Sequence, residues 1–447
     1  MDGATADARF DELCLAIDRR RARIAIVGLG SVGIPLAHAF VAAGHTVVGY
    51  DVDGERVACV QRGENPLHHF RAGLVREMLA AGRFHATSDV ARLASIDVAL
   101  VCVPTPLSPA REPDLACVTA AATALAARVQ PGTLVVLEST THPGTTRDVL
   151  GAIFRAHGKQ PERDVWLAYS PEREDPGRTD VSTATIPKLV GGTCARSSVL
   201  AERLYASAIA CVRRVSSAEV AESAKLLENV FRATNIALVN EVKMALDALG
   251  VDVWEVIDAA STKPFGFMKF TPGPGMGGQC IPVDPHYLTW AAHRAGAATP
   301  LIELAGDVNR AMPSYVVART ESELARRGST LGGARVLVLG IAYKPEVDTV
   351  TESPALRLIA LFEAAGAQVE FHDPLVRTLR ASGEHTLGAR ESVDLSSERV
   401  RSFDAVVVAT DHACIDYELV AAHAQLVVDT RHALASRMRG SAKYATA

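Results

Sequence analysis

Between residues 23 and 51 the chain reads as four segments in a fixed order. An apolar run (RIAIV) leads into three glycines spaced as GxGxxG (GLGSVG, 28–33). An apolar helical pattern (IPLAHAFVAAG) then leads into a second apolar run that ends on an acid (TVVGYD). Short apolar runs without polar alternation read as strands buried on both faces, as in a parallel sheet. Parallel neighbours need a crossover, and the helical pattern supplies it. Gly28 allows the tight turn, Gly30 lets the backbone approach a pyrophosphate, and Gly33 allows close helix–strand packing. Ser31 and Val32 fall at the start of the helix, where outward N–H groups favour an anion. Asp51, 23 residues after Gly28, stands where a carboxylate takes both ribose hydroxyls and repels a 2′-phosphate. NAD is therefore expected over NADP.

The 447 residues suggest about three domain-sized units. Hydrophobic residues make up 48% and charged residues 22%, which excludes long disorder. With 46 basic against 51 acidic residues the formal charge is −5, so no basic field exists to hold nucleic acid. The N-terminus is charged throughout, and no stretch approaches the roughly 20 apolar residues of a membrane span. A cytoplasmic protein with no membrane or nucleic-acid partner is expected. Eight cysteines show no CxxC spacing, so no metal centre is expected and most should be small buried hydrophobes.

Strands at 97–103 and 133–139 continue the first alternation, and the last third of the chain repeats it. ARVLVLG (334–340), QVEFHDP (368–374), DAVVVATD (404–411) and QLVVDTR (425–431) resemble the first, second, third and fourth strands in turn. The loop after the first of these, GIAYKP, lacks a second glycine and suits a nucleotide better than a dinucleotide. From Ser216 to Gly250 the pattern is one long amphipathic helix. The expected fold is α/β: two Rossmann-like doubly wound parallel-sheet domains joined by a long central helix and a helical segment. The division places an NAD-binding domain at 1–205, a helical dimerisation domain with the catalytic loop at 206–320, and a second Rossmann-like domain at 321–447.

Cys280 lies in GPGMGGQCIPVDP (273–285), where four glycines could admit a ligand and Asp284 is near. The thiol is a candidate nucleophile; the alternative is an irregular structural loop in which it only packs. Cys102, at a strand end, is assigned to packing. Lys225 and Asn229 are spaced i, i+4 on one helix face, with Asn240 and Glu241 three turns on. Such a pair suits an oxyanion or a phosphate, but a solvated helix face carries the same pattern.

An ordered set of motifs then resembles the UDP-glucose/GDP-mannose dehydrogenase family. It comprises GLGSVG, VPTP, ESTTHPGTT (138–146), SPEREDPG (170–177), KLLENVFRATNIALVNE (225–241), GPGMGGQCIPVDP, LGIAYKP (339–345) and VVDTR (427–431). Within the family, SPEREDPG, TKPFGF (262–267) and HYLTW (286–290) are similar to the branch acting on UDP-N-acetylhexosamines, nearest its UDP-N-acetylglucosamine 6-dehydrogenases. The resemblance implies a four-electron oxidation of the sugar C6 alcohol to the acid, with NAD as oxidant, through a thiohemiacetal and a thioester on Cys280. It implies Lys225 and Asn229 at the oxyanion, Asp284 orienting or deprotonating the alcohol or water, Glu172 as hydrolytic base and Thr140 holding water. Thr105 joins the cofactor side. Lys225, Arg173, Phe270, Gly277 and Lys344 fall to the substrate, with Arg173 the contact for an acetamido or hydroxyl group. A homodimer through the central helix is also implied.

Two departures stand out. Relatives usually carry arginine where this chain has Thr351 and Pro300. UDP-N-acetylmannosamine, UDP-glucose or a nucleotide-sugar-binding relative without turnover are the alternatives at this stage.

Overall fold

A computed structural model describes residues 2–67, 70–173, 183–381 and 387–447. Glu174 to Gly177, the end of the SPEREDPG motif, lie outside the described residues. The chain forms two compact units. One comprises Met1–Glu228 and His286–Ala297, the other Asn229–Pro285 and Ala298–Ala447.

The first unit is built on an eight-stranded sheet of β1 (Arg23–Val27), β2 (Thr46–Tyr50), β3 (Phe84–Thr87), β4 (Val98–Val101), β5 (Thr133–Leu137), β6 (Val165–Tyr169), β7 (Lys188–Gly192) and β8 (Val212–Arg214). Its order is β3-β2-β1-β4-β5-β6-β7-β8. Every pairing is parallel except β6 with β7. The apolar runs earn their double burial. Ile24 and Ile26 of β1 enter a core with Phe40 and Tyr205, while Ala25 and Val27 enter a second core with Leu125 and Phe154. Alternate residues point to opposite faces of a strand, so one pentapeptide nucleates two layers. Each fully buried Ile or Val contributes about 1.5–3 kcal/mol, which makes β1 the keystone of both cores.

The second unit repeats the arrangement on a smaller sheet. Its strands β9 (Arg335–Leu339), β10 (Gln368–His372), β13 (Ala405–Val408), β14 (Val427–Asp429) and β15 (Tyr444–Thr446) order as β10-β9-β13-β14-β15 and pair in parallel throughout. A two-residue ribbon, β11 (Thr378–Leu379) with β12 (Arg390–Glu391), stands apart. Val336 and Val338 again enter one core and Leu337 and Leu339 another. The equivalence reaches the turns. A Cβ on Gly28 would lie 2.4 Å from the Cys102 carbonyl oxygen, and one on Gly340 would lie 2.2 Å from that of Thr410.

The central helix spans Ala218–Leu249, 32 residues without glycine or proline, close to the extent expected. The described residues include no helix long and apolar enough to cross a membrane. The cysteines correct an expectation. Only Cys14 and Cys102 are buried, Cys59 and Cys194 are half-buried, and Cys117, Cys211, Cys280 and Cys414 are exposed. Composition alone does not say which way a residue faces: Cys117 lies exposed in the first turn of its helix and Cys211 in the connection just before β8.

Candidate active site

In the first unit the cofactor-side residues gather along the carboxyl edge of the sheet. Gly28 to Gly33 follow β1, Asp51 follows β2, Thr105 follows β4 and Thr140 follows β5. The strand order reverses between β1 and β4, and a crevice at such a switch point is where open α/β sheets bind ligands. The glycines divide by role. Gly28 adopts φ 105° against Cys102, and a Cβ on Gly33 would sit 1.8 Å from the Gly28 carbonyl oxygen. Both are demanded by the protein's own packing. A Cβ on Gly30 would meet nothing nearer than Arg56 Nη1 at 3.7 Å, so the open side of Gly30 faces ligand space. The helix that follows, Gly33–Ala42, has no side-chain cap and no acid in its first turn. Its N-terminal amides thus remain suited to an anion.

Asp51 is buried. Its carboxylate accepts the Leu29 amide at 2.7 Å and the Asp53 amide at 2.9 Å, with Arg56 Nη1 3.8 Å away. A carboxylate has about four acceptor sites, so these contacts leave capacity for ribose hydroxyls. The second unit differs at the equivalent point. Asp373 is fully buried and accepts the amides of Ile341, Ala342, Leu375 and Val376, with His412 Nε2 at 3.2 Å. Its carboxylate is spent on closing the turn. The glycine loop and acid of the first unit suit NAD; their counterparts in the second do not read a ribose in the same way.

Glu172 and Arg173 follow β6. Glu172 is held from three sides within this unit. Its carboxylate accepts the Arg173 amide at 2.6 Å, its backbone carbonyl accepts Lys225 Nζ at 2.6 Å, and Lys188 Nζ stands 3.8 Å from its second oxygen. The Arg173 guanidinium is engaged by Glu228 and by the Pro187 carbonyl at 2.8 Å. Lys225 and Asn229 are each 7% exposed, so the pair does not form a solvated helix face.

In the second unit Asn229 donates its amide to Asp284, itself 2% exposed. Asp284 opens the helix Asp284–Arg294, and its backbone amide donates to the Cys280 carbonyl at 2.8 Å. Cys280 is exposed at the end of the glycine loop. The loop's glycines were expected to admit a ligand, yet each also serves internal packing. A Cβ on Gly277 would lie 2.8 Å from Glu352 O and Tyr343 Cβ, one on Gly278 2.8 Å from the Tyr343 ring, and one on Gly273 2.5 Å from Arg431. Gly278 also donates to the Thr351 carbonyl at 3.0 Å, so the position that departs from arginine anchors the loop through its backbone. Asn240 completes the anchoring. Fully buried, it accepts the Gly273 amide at 3.0 Å and donates to Asn309 at 2.9 Å. Lys344 is half-buried with Nζ 5.7 Å from the Tyr343 ring centroid, and Phe270 meets Phe231 edge-on at 5.8 Å. Pro300 occupies the first turn of the helix Pro300–Ala325, where a missing N–H costs nothing.

Three family models cover most of the chain: the NAD binding domain of the UDP-glucose/GDP-mannose dehydrogenase family at residues 22–209, its central domain at 219–311 and its UDP binding domain at 337–436. The chain belongs to the UDP-glucose/GDP-mannose dehydrogenase family. It is an NAD-dependent UDP-sugar dehydrogenase, an oxidoreductase. Among its relatives, the UDP-N-acetyl-D-mannosamine dehydrogenase of Pyrococcus horikoshii is 34% identical over 393 residues, covering 87% of this chain and 89% of that protein. The UDP-N-acetyl-D-glucosamine 6-dehydrogenase of Pseudomonas aeruginosa is 32% identical over 393 residues, covering 88% and 90%. The solved structure of the Pyrococcus horikoshii UDP-D-ManNAc dehydrogenase superposes with a TM-score of 0.85 at 31% identity, over 95% of this chain and 98% of that one.

Sequence reasoning overlooked a buried group in this family member's first unit. Glu138, directly after the fully buried β5, is itself fully buried and accepts Lys188 Nζ at 2.6 Å and the Tyr205 hydroxyl. An acid capping a central strand was the available signal; its partners lie 50 and 67 residues away and left none.

Proposed function

We propose that the protein oxidises the C6 alcohol of a UDP-N-acetylhexosamine, UDP-N-acetylglucosamine foremost, to the uronic acid. NAD, when bound, accepts a hydride from C6 in each of two successive oxidations. Asp284, fixed by Asn229, orients the C6 hydroxyl and takes its proton in the first. The Cys280 thiolate then adds to the aldehyde carbon, forming a C–S bond, and Lys225 and Asn229 stabilise the resulting oxyanion. Loss of the second hydride leaves a thioester. Glu172 removes a proton from water positioned with Thr140; the water oxygen bonds to the carbonyl carbon, the C–S bond breaks, and the electron pair returns to Cys280 as thiolate. Arg173 is assigned to the acetamido group, and Phe270, Gly277 and Lys344 to the substrate. Functionally the chain divides into NAD, dimerisation and UDP-sugar portions at 1–205, 206–320 and 321–447. Association into a homodimer through the central helix belongs to the same reading.

One observation carries this assignment above the others. An exposed cysteine stands four residues before a buried carboxylate whose backbone amide bonds its carbonyl and whose side chain is already oriented by an amide from the central helix. A structural loop has no need of that arrangement. The similarity to a UDP-N-acetyl-D-mannosamine dehydrogenase supports the 2-epimer as the second substrate to try. The test is NADH formation with UDP-N-acetylglucosamine, UDP-N-acetylmannosamine and UDP-glucose in parallel. Two NADH per sugar, an acidic product and the highest kcat/KM with UDP-N-acetylglucosamine are expected. Preference for UDP-glucose would overturn the substrate class, and a Cys280→Ser protein that still makes acid at the wild-type rate would overturn the thioester.

A further inference from the structure

Outside the residues already assigned, the first unit buries a cation between two carboxylates. Lys188, the first residue of β7, is 3% exposed. Its Nζ donates to Glu138 Oε2 at 2.6 Å and stands 3.8 Å from Glu172 Oε2. The Tyr205 hydroxyl takes the other oxygen of Glu138, and the Tyr205 ring centroid lies 5.4 Å from Lys188 Nζ. We infer that Lys188 is a positioning residue that holds a positive charge beside the Glu172 carboxylate in the hydrolytic step, with Glu138 and Tyr205 holding its ammonium in place. The inference rests on the assignment of Glu172 as hydrolytic base.

A lone buried ion pair contributes little to stability against an apolar replacement, so stability alone is a weak reason for these three residues. The hydrogen bond goes to Glu138, whose two oxygens are both taken within the group. The separation from Glu172 exceeds hydrogen-bonding range. Lys188 thus acts on Glu172 as a nearby charge and does not occupy the lone pair that accepts a proton. Burial tends to neutralise the ammonium, but the charges of Glu138 and Glu172 outweigh it and hold the Lys188 pKa above its ordinary value. Burial raises the Glu138 carboxyl against the pull of Lys188. The Cys102 thiol beside them is pushed well up by burial and stays neutral. From the other sides Glu172 meets Arg173, on its own loop, and Lys225 of the central helix, where Glu228 balances Arg173.

The two partners of Lys188 should act with opposite sign. Removing the cation takes a positive charge away from beside the Glu172 carboxylate. Removing Glu138 leaves the whole cation to Glu172. The experiment uses the full-length enzyme with NAD and whichever of the three UDP-sugars it turns over fastest. Product release is followed from pH 5 to 9, and the covalent adduct on Cys280 by quenched-flow intact mass. Glu172→Gln is expected to accumulate the thioester. Lys188→Met accumulates the same adduct, and the acid limb of its release rate moves up by about one pH unit or more. Glu138→Gln moves that limb down, and Lys188→Arg restores the wild-type profile. If Lys188→Met does not fold, the near-isosteric Glu138→Gln and the Lys188→Arg protein carry the test. Limbs that do not move, or that move together, overturn the role of Lys188 while Glu172→Gln still stalls. A Glu172→Gln protein that releases acid at the wild-type rate without an adduct overturns the assignment of Glu172 itself.

Discussion

At the scale of single residues, the three glycines of the first loop look alike in sequence and differ in what they do. Gly33 sits where a Cβ would overlap the backbone of Gly28, and backbone cannot yield as a flexible side chain can. A Gly33→Ala substitution should therefore cost about 3 kcal/mol or more, read as a fall in the thermal unfolding midpoint. Gly30 opens on ligand space, so Gly30→Ala should leave stability within about 0.5 kcal/mol and weaken NAD at least about tenfold by calorimetry. An unchanged NAD affinity would remove Gly30 as the point of cofactor approach. The spacing of these residues was legible because it reflects one local requirement, a tight turn into a helix. Asp51 was legible for the same reason. Lys188, Glu138 and Tyr205 were not, because each is unremarkable alone and the group exists only once β5, β7 and the helix Ala195–Ala206 are side by side.

At the scale of elements, the strands were the most readable part of the chain and the segment after β5 the least. Continuous apolar runs could only be strands buried on both faces, and both sheets follow from them. ESTTHPGTT gave no sign that residues Thr145–Leu150 form a π-helical turn, since the partner that makes it possible is on the central helix. Glu222, fully buried, accepts the amides of Gly144 at 2.7 Å and Thr146 at 2.9 Å and the Thr146 hydroxyl at 2.7 Å. Burial nevertheless pushes its carboxyl up to about 7, the three donors pulling the other way. A carboxyl raised above its ordinary value contributes stability that is full below about 4.5 and is lost as pH rises through about 7. The unfolding midpoint should thus fall between pH 5 and 8 by the equivalent of about 3 kcal/mol from this group. Glu222→Gln should flatten that part of the curve, and parallel curves for the two proteins would show that Glu222 does not titrate in this window.

At the scale of the whole molecule, the central helix carries one exposed apolar stripe, with Phe270 set against it at Phe231. Val220, Leu227, Phe231, Leu238 and Leu249 are 44%, 64%, 46%, 57% and 73% exposed. At 3.6 residues per turn these five positions fall within about 40° of one another around the helix axis. Leu226, Val230, Ala233 and Ala237 are buried on its other side. The stripe runs about 44 Å, longer than isolated surface leucines account for. A helix face shared with a second copy would be self-complementary by symmetry, since a two-fold brings the same stripe to both sides. The protein should therefore run in light scattering at about twice its 47.4 kDa chain mass. Replacing Leu227 and Leu238 together by glutamate places two charges in the stripe without touching the buried face or the Phe231–Phe270 contact. The double variant should become monomeric at micromolar concentration with its helical circular dichroism intact. A variant that stays dimeric would move the interface to another surface, and a wild-type monomer would leave the stripe to a different partner.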